Sequence, residues 1–180
     1  LPRRRRPDRP ARIVALCDVS GSMSVHARLF LAFLKGLVSA DTTADAYLFH
    51  TRLLRVTPAL RERDALAAAG RLSLMAEGFG GGTDIAGCLE RFCDAHAARA
   101  VTSRTCVVIL SDGYCTSPPE ALAAALARLR RRAPRIVWLN PLTGREGARA
   151  MAAALPLLDA HLPADTLEAL AALEGEFARL

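Results

Sequence analysis

The sequence predicts an α/β layered fold built on a mainly parallel sheet, and three observations carry that prediction. Two strand-length runs, Ile13-Val14-Ala15-Leu16-Cys17 and Cys106-Val107-Val108-Ile109-Leu110, contain no charged residue, as expected of strands buried on both faces. Strand-like and helix-like segments alternate along the 180 residues, the pattern of successive βα units. Two further strand candidates, 45–50 and 53–57, are separated only by Thr51-Arg52. So short a gap demands an antiparallel hairpin, because a parallel return needs a long crossover.

Taken in order, residues 12–19 form the first strand. A helix over 22–39 follows, with Val25, Leu29, Phe33 and Leu37 on one face and Phe30 and Leu34 beside them, so much of its circumference should be buried. After the hairpin, 60–75 reads as a helix and 78–82 as a glycine-rich loop. Ile85, Leu89 and Phe92 mark a helix over 84–99. Residues 105–111 form the second fully apolar strand. Ser117-Pro118-Pro119-Glu120 has the parts of a helix start, with Ser117 as cap, Pro118 in the first turn and Glu120 closing a capping box. That helix carries Leu122, Leu126 and Leu129 and ends in Arg130-Arg131-Arg132, favourable at the negative end of a helix dipole. A strand over 136–139, a short helix over 146–154, a weak strand over 157–162 and a last helix over 164–177 complete the chain.

The length suits one domain with a well-buried core. Hydrophobic residues make up 52% of the chain and aromatics only 5%, so the core is a Leu, Ala, Val and Ile core. No apolar stretch approaches the roughly 20 residues that span a bilayer, and residues 1–12 lack the charged-then-apolar pattern of a leader. The expected setting is the cytoplasm. The net charge of +6 is concentrated at one end, where residues 1–12 hold six arginines against Asp8. With Pro2, Pro7 and Pro10 among them, residues 1–11 read as an extended basic linker and 12–180 as the folded domain. This is a different pattern from a folded nucleic-acid surface. A chain that opens on Leu reads as the tail of something longer. Cysteines 17, 88, 93, 106 and 115 form no Cys-x-x-Cys pair and are expected to be reduced thiols.

The chemistry gathers at strand ends. Asp18, Ser20 and Ser22 follow the first apolar strand, Thr83 follows Gly80-Gly81-Gly82, and Asp112 follows the second apolar strand. Open α/β sheets bind ligands beyond the carboxyl ends of their strands, where strand order reverses. If the two apolar strands are parallel neighbours, their ends lie about 5 Å apart. Two carboxylates that close repel, and a cation between them relieves the conflict. Five hard oxygens suit Mg²⁺, which prefers octahedral coordination and keeps water. Each residue also has a structural explanation: Ser22 and Thr83 precede helices and are good N-caps, while Asp112-Gly113 is a common turn pair.

Asp18-Val19-Ser20-Gly21-Ser22, Thr83 after its glycines, and Ser111-Asp112-Gly113 together resemble the metal-ion-dependent adhesion site of von Willebrand factor A (VWA) domains, with no departure at the five positions. Arg3 to Arg6 before the first strand, Tyr47-Leu48-Phe49-His50-Thr51, Gly81-Gly82-Thr83-Asp84-Ile85 and Trp138-Leu139-Asn140-Pro141-Leu142 resemble the CoxE-like bacterial branch. The resemblance implies a Rossmann-like three-layer α/β/α fold whose six-stranded sheet has one antiparallel edge strand. It implies Mg²⁺ or Mn²⁺ held by Asp18, Ser20, Ser22, Thr83 and Asp112, an acidic residue of a protein partner completing the site, and no catalysis. It further implies work beside a MoxR-type AAA+ ATPase in maturing a molybdenum hydroxylase such as carbon monoxide dehydrogenase.

Two other functions compete. A Mg²⁺-dependent phosphoryl-transfer or hydrolytic enzyme would need a phosphate-positioning lysine or a nucleophile with its base. Lys35, the one lysine, falls inside the first helix; Ser22 lacks a Gly-x-Ser-x-Gly elbow, and His26 is the conceivable base. A nucleotide-binding loop at 78–83 would require a final glycine where Thr83 stands and a strand directly before it.

Overall fold

The structure is a computed structural model that describes residues 12–62, 82–142, 149–166 and 168–170. The basic linker, most of the helix expected over 60–75, the loop over 78–81 and most of the last helix lie outside the described residues.

Six strands form one sheet in the order β3-β2-β1-β4-β5-β6: β1 (Arg12–Asp18), β2 (Asp45–Phe49), β3 (Leu53–Arg55), β4 (Thr105–Leu110), β5 (Arg135–Asn140) and β6 (Ala160–Pro163). All neighbours run parallel except β2 and β3, which pair antiparallel through Tyr47–Arg55, Leu48–Leu54 and Phe49–Leu53. The two-residue gap therefore does what it must, and the hairpin supplies the edge. This is the expected six-stranded, mostly parallel sheet with one antiparallel edge strand.

The absence of charge in β1 and β4 follows from their central places. Successive side chains alternate between faces, and here both faces are covered. Val14 and Leu16 of β1 join Val107 and Ile109 of β4 and Trp138 of β5 on one side. They pack against α3 (Ile85–Ala95), α5 (Pro119–Arg130) and α6 (Arg149–Ala154). Ala15, Cys17, Val108 and Leu110 face the opposite way, against α1 (Ala27–Ala40). Cys17 and Cys106 serve as small apolar residues here, and burial pushes the Cys106 thiol up to about 12.

Three local expectations are corrected. The first helix begins at Ala27 rather than 22, and its buried stripe is Phe30, Leu34 and Val38. Val25 lies before the helix and is exposed, because residues 21–23 form a separate 3-10 turn that redirects the chain. The helix expected over 84–99 is divided at His96, where φ is −124° and ψ −35°. The short α4 (Ala97–Ala100) follows it, and the His96 ring leans on Tyr47 with centroids 5.0 Å apart. Ser117 does not cap α5, because Pro118 occupies the cap position and the Ser117 hydroxyl is spent elsewhere. In the region expected to begin a longer helix, the described part is the single turn α2 (Thr57–Leu60).

The amino-terminal edge of the sheet is fastened by Asp45. Its Oδ1 accepts hydrogen bonds from Arg55 Nε at 2.8 Å and from the Thr57 hydroxyl, and its Oδ2 from the Tyr47 hydroxyl at 3.1 Å. Burial opposes ionisation of Asp45, but the Arg55 and Thr57 hydrogen bonds and the Arg55 charge outweigh it and hold the carboxyl below its ordinary value. A carboxyl held low in the fold contributes stability at pH above its unfolded value, and that contribution disappears as pH falls through the folded value. Asp45→Asn should therefore cost about 1–3 kcal/mol at pH 7. In urea melts the gap between wild type and variant should close towards pH 3; a gap that stays constant with pH would contradict this role.

Candidate functional site

Strand order reverses between β1 and β4: the chain leaves β1 for β2 on one side and later returns to β4 on the other. The crevice beyond their carboxyl ends is thus the switch point of the sheet. Cys17 is in register with Leu110, so the next residues, Asp18 and Ser111, stand side by side. The Ser111 hydroxyl donates to Asp18 Oδ2 at 2.7 Å, and the Ser20 backbone N–H donates to Asp18 Oδ1 at 2.9 Å. Ser111 is fully buried and also accepts the Gly113 N–H at 3.1 Å. Trp138 holds the same residue from the next strand, its indole N–H donating to the Ser111 carbonyl at 2.8 Å.

The β1 loop folds back over this point. The Ser20 and Ser22 hydroxyls lie 3.1 Å apart, so they converge as the turn across Gly21 suggests. Neither caps α1, whose N-terminal flank at His26 receives no side-chain hydrogen bond. Asp112 Oδ1 accepts the Tyr114 N–H at 3.1 Å in a tight turn over Gly113, where φ is +80°. A side chain at Gly113 would meet both that unfavourable backbone and Met151. Asp112 Oδ2 is buried and has no hydrogen-bond partner.

The third loop is tied to the second. The Thr83 carbonyl accepts the Thr116 N–H at 2.9 Å and its hydroxyl at 3.0 Å. Gly82 passes so close to Thr116 that a Cβ there would strike the threonine methyl. The Asp84 N–H donates to the His50 carbonyl at the end of β2, 3.0 Å away, which brings this loop to the same edge of the sheet. Asp84, not Thr83, caps α3: its Oδ1 accepts the Gly87 N–H at 2.9 Å and the Ser117 hydroxyl at 2.8 Å. The two capping explanations for Ser22 and Thr83 are thereby removed.

Electrostatically the crevice is loaded with like charge. Burial raises the Asp18 carboxyl above its ordinary value; hydrogen bonds from Ser111 and Ser20 pull it down in part, and the Asp112 charge pushes it up again. A buried acceptor without a donor and two carboxylates that act on one another are both costly in the absence of positive charge. Among the described residues no three His, Cys, Asp or Glu side chains gather as a metal cluster, so the acids here have only hydroxyls for company. Such an all-oxygen set is what a hard cation takes. The 3.1 Å between the two serine hydroxyls is close to the ~2.9 Å edge of an octahedron with bonds of about 2.0–2.1 Å. In donor type the residues fit a hard divalent cation such as Mg²⁺. Ser111, which positions Asp18, is the residue that sequence reasoning left out of the site; the available signal was a hydroxyl interrupting a run that is otherwise apolar.

Comparison with known proteins gives a family and a fold. The family described as VWA domain containing CoxE-like protein matches residues 1–170. No curated protein matches the chain. A von Willebrand factor type A structure from Catenulispora acidiphila superposes with a TM-score of 0.58 at 16% identity, covering 94% of this chain and 42% of that one. Proximal thread matrix protein 1 from the mussel byssus, with a zinc-occupied MIDAS motif, gives 0.55 at 15% identity, covering 93% and 47%. The chain thus spans less than half the length of either structure, and at these identities the likeness concerns the fold.

The burden on Asp18 has a measurable consequence. Asp18→Asn keeps an acceptor for the Ser20 N–H and a partner for Ser111 while removing the charge. In EDTA at pH 7 the variant should melt at or above wild type, where about 2–4 °C corresponds to 1 kcal/mol for a chain of this size. A clearly lower midpoint would show that the buried charge is not a liability in the metal-free protein.

Proposed function

The chain belongs to the CoxE-like family of VWA domains, and from that membership and the crevice geometry we propose a metal-dependent protein-interaction module. Asp18, Ser20, Ser22, Thr83 and Asp112 hold one Mg²⁺, or Mn²⁺ in its place. The observation that carries this reading is the buried, unpartnered Asp112 Oδ2, on a carboxylate whose charge acts on Asp18. A cation at this edge turns two repelling carboxylates into ligands and offers the partner a positive centre.

What such a centre recognises is an acidic side chain, because a carboxylate oxygen can fill a coordination position that water otherwise holds. The rim adds a second criterion. Val25, three residues past Ser22, is 86% exposed, and Tyr114, two past Asp112, is 49% exposed. The partner segment is therefore an Asp or Glu flanked by apolar residues. The partner we assign is a MoxR-type AAA+ ATPase and the process the maturation of a molybdenum hydroxylase such as carbon monoxide dehydrogenase, a reading supported by membership of the CoxE-like family. The work proposed is binding, not catalysis. Lys35 directs its ammonium group to the Glu62 carbonyl, 3.4 Å away, and His26 lies near the Phe30 ring, with centroids 6.1 Å apart. Among the described residues no helix is long and apolar enough to cross a membrane.

Metal addition should raise the melting temperature of wild type. At a Mg²⁺ concentration 100 times the dissociation constant the gain is about 2.7 kcal/mol, and EDTA should reverse it. Asp112→Ala and Asp18→Ala should abolish the gain; a gain retained in both variants would refute these ligands. Capture of the ATPase by the immobilised chain should require metal and fail in both variants. Val25→Ser with Tyr114→Ser should weaken capture while leaving metal-dependent stabilisation intact, which separates the rim from the ion.

A further inference from the structure

At the opposite edge of the sheet, where the parallel strands begin, the structure forms a half-open cavity of about 300 Å³. Its walls carry Arg12, Arg55, Arg99, His96, Asp45 and Tyr47. Topology assembles them. Arg12 opens β1, Asp45 opens β2, and Arg55 ends β3, which reaches the same edge because it runs antiparallel. His96 and Arg99 come from the break after α3 and the short helix α4.

The charges in this cavity do not cancel. Asp45 is the single carboxylate among those six, and both its oxygens are taken, one by Arg55 and Thr57 and the other by Tyr47. That leaves two guanidinium groups over. Among the described residues the Arg12 side chain donates only to the Arg99 carbonyl, at 3.3 Å, and its Nε is buried without a partner. Among the described residues no acidic side chain pairs with Arg12 or Arg99. Cations held together at a concave surface with no acid to answer them raise the local positive potential and recruit anions. Arginine is the residue best shaped for it, since its planar fork matches two oxygens of a phosphate or carboxylate at once. The volume lies at the lower end of the range for small-ligand sites.

We propose that this cavity is a binding site for a small organic oxyanion, a phosphate ester or a carboxylate, gripped by Arg12 and Arg99 and bordered by Arg55 and His96. It is separate from the metal edge, since the seven residues of β1 place the two edges about 20 Å apart. The site therefore stands or falls independently of the cation.

The test uses the whole chain in EDTA, so that the metal edge is silent. Calorimetric titration and thermal melts compare inorganic phosphate, AMP and succinate with sodium chloride at equal ionic strength. At least one oxyanion should raise the melting temperature beyond chloride. Tighter binding of AMP than of phosphate identifies a phosphate ester, and binding of succinate a carboxylate; either supports the proposal. Arg99→Gln, an exposed position whose replacement spares the core, should weaken binding about ten-fold or more. Arg28→Gln removes the same charge from α1 on the other face of the sheet and should not. The proposal is overturned if no oxyanion outperforms chloride. It is also overturned if binding survives unchanged in both Arg12→Gln and Arg99→Gln, since the attraction would then belong to the arginines of the amino-terminal segment.

Discussion

Asp18 and Asp112 repel one another across the crevice between two neighbouring strands, and the fold gives them nowhere else to go. Their strands, β1 and β4, are pinned side by side by a six-pair parallel register, and apolar side chains on both faces of the sheet fix that register. A one-residue slip would exchange every inward side chain for an outward one. The carboxylates are thus held close by the hydrophobic core, not by any attraction of their own. The polar atoms that ease the strain on Asp18, Ser111 Oγ and the Ser20 N–H, are few. Asp112 keeps one oxygen without a donor. A stable core can carry such a local cost, and a cation bound there would relieve it.

The loops around the crevice show the same priority. Helix starts ordinarily recruit the nearest Ser or Thr as a cap, for a gain of about 0.5–2 kcal/mol. Here the first helix starts late and without a side-chain cap, while the third is capped by Asp84. Ser20, Ser22 and Thr83 are thereby left out of the capping task. Ser117, which the local sequence would assign to its own helix, instead reaches back to Asp84. Together with the two bonds from Thr116 to the Thr83 carbonyl, this sews the second and third loops into one wall.

The parts of the fold that were legible in the sequence are those governed by a single strong constraint. A charge-free run in a chain of this composition can only be a strand or helix sealed on all sides, and length chose strand. A two-residue gap can only be a hairpin. Strand ends were legible too, since a carboxylate stops an apolar run visibly. What escaped depends on contacts between distant segments. The stripe of α1 slipped from Val25-Leu29-Phe33-Leu37 to Phe30-Leu34-Val38 because nothing local announces that residues 21–23 will turn as a 3-10 segment. The break at His96 lies within a periodic helical pattern, and its ring packing against Tyr47 is a tertiary event. Ser111 was hidden for a similar reason: its importance lies in being opposite Asp18, a register fact that only strand pairing reveals.

The two edges of β1 make a pair of opposites on one rigid strand. At its carboxyl end the sheet gathers acids and hydroxyls; at its amino end it gathers arginines around one acid already neutralised. Neither arrangement helps folding, since each concentrates charge of one sign that a dispersed surface would avoid. Asp45 shows that the fold can neutralise a buried carboxylate completely when stability is the aim, using Arg55, Thr57 and Tyr47 together. The same chain leaves Asp112 Oδ2 and Arg12 Nε without partners. That contrast within one domain is the physical reason to read both unsatisfied edges as places where something from outside completes the structure.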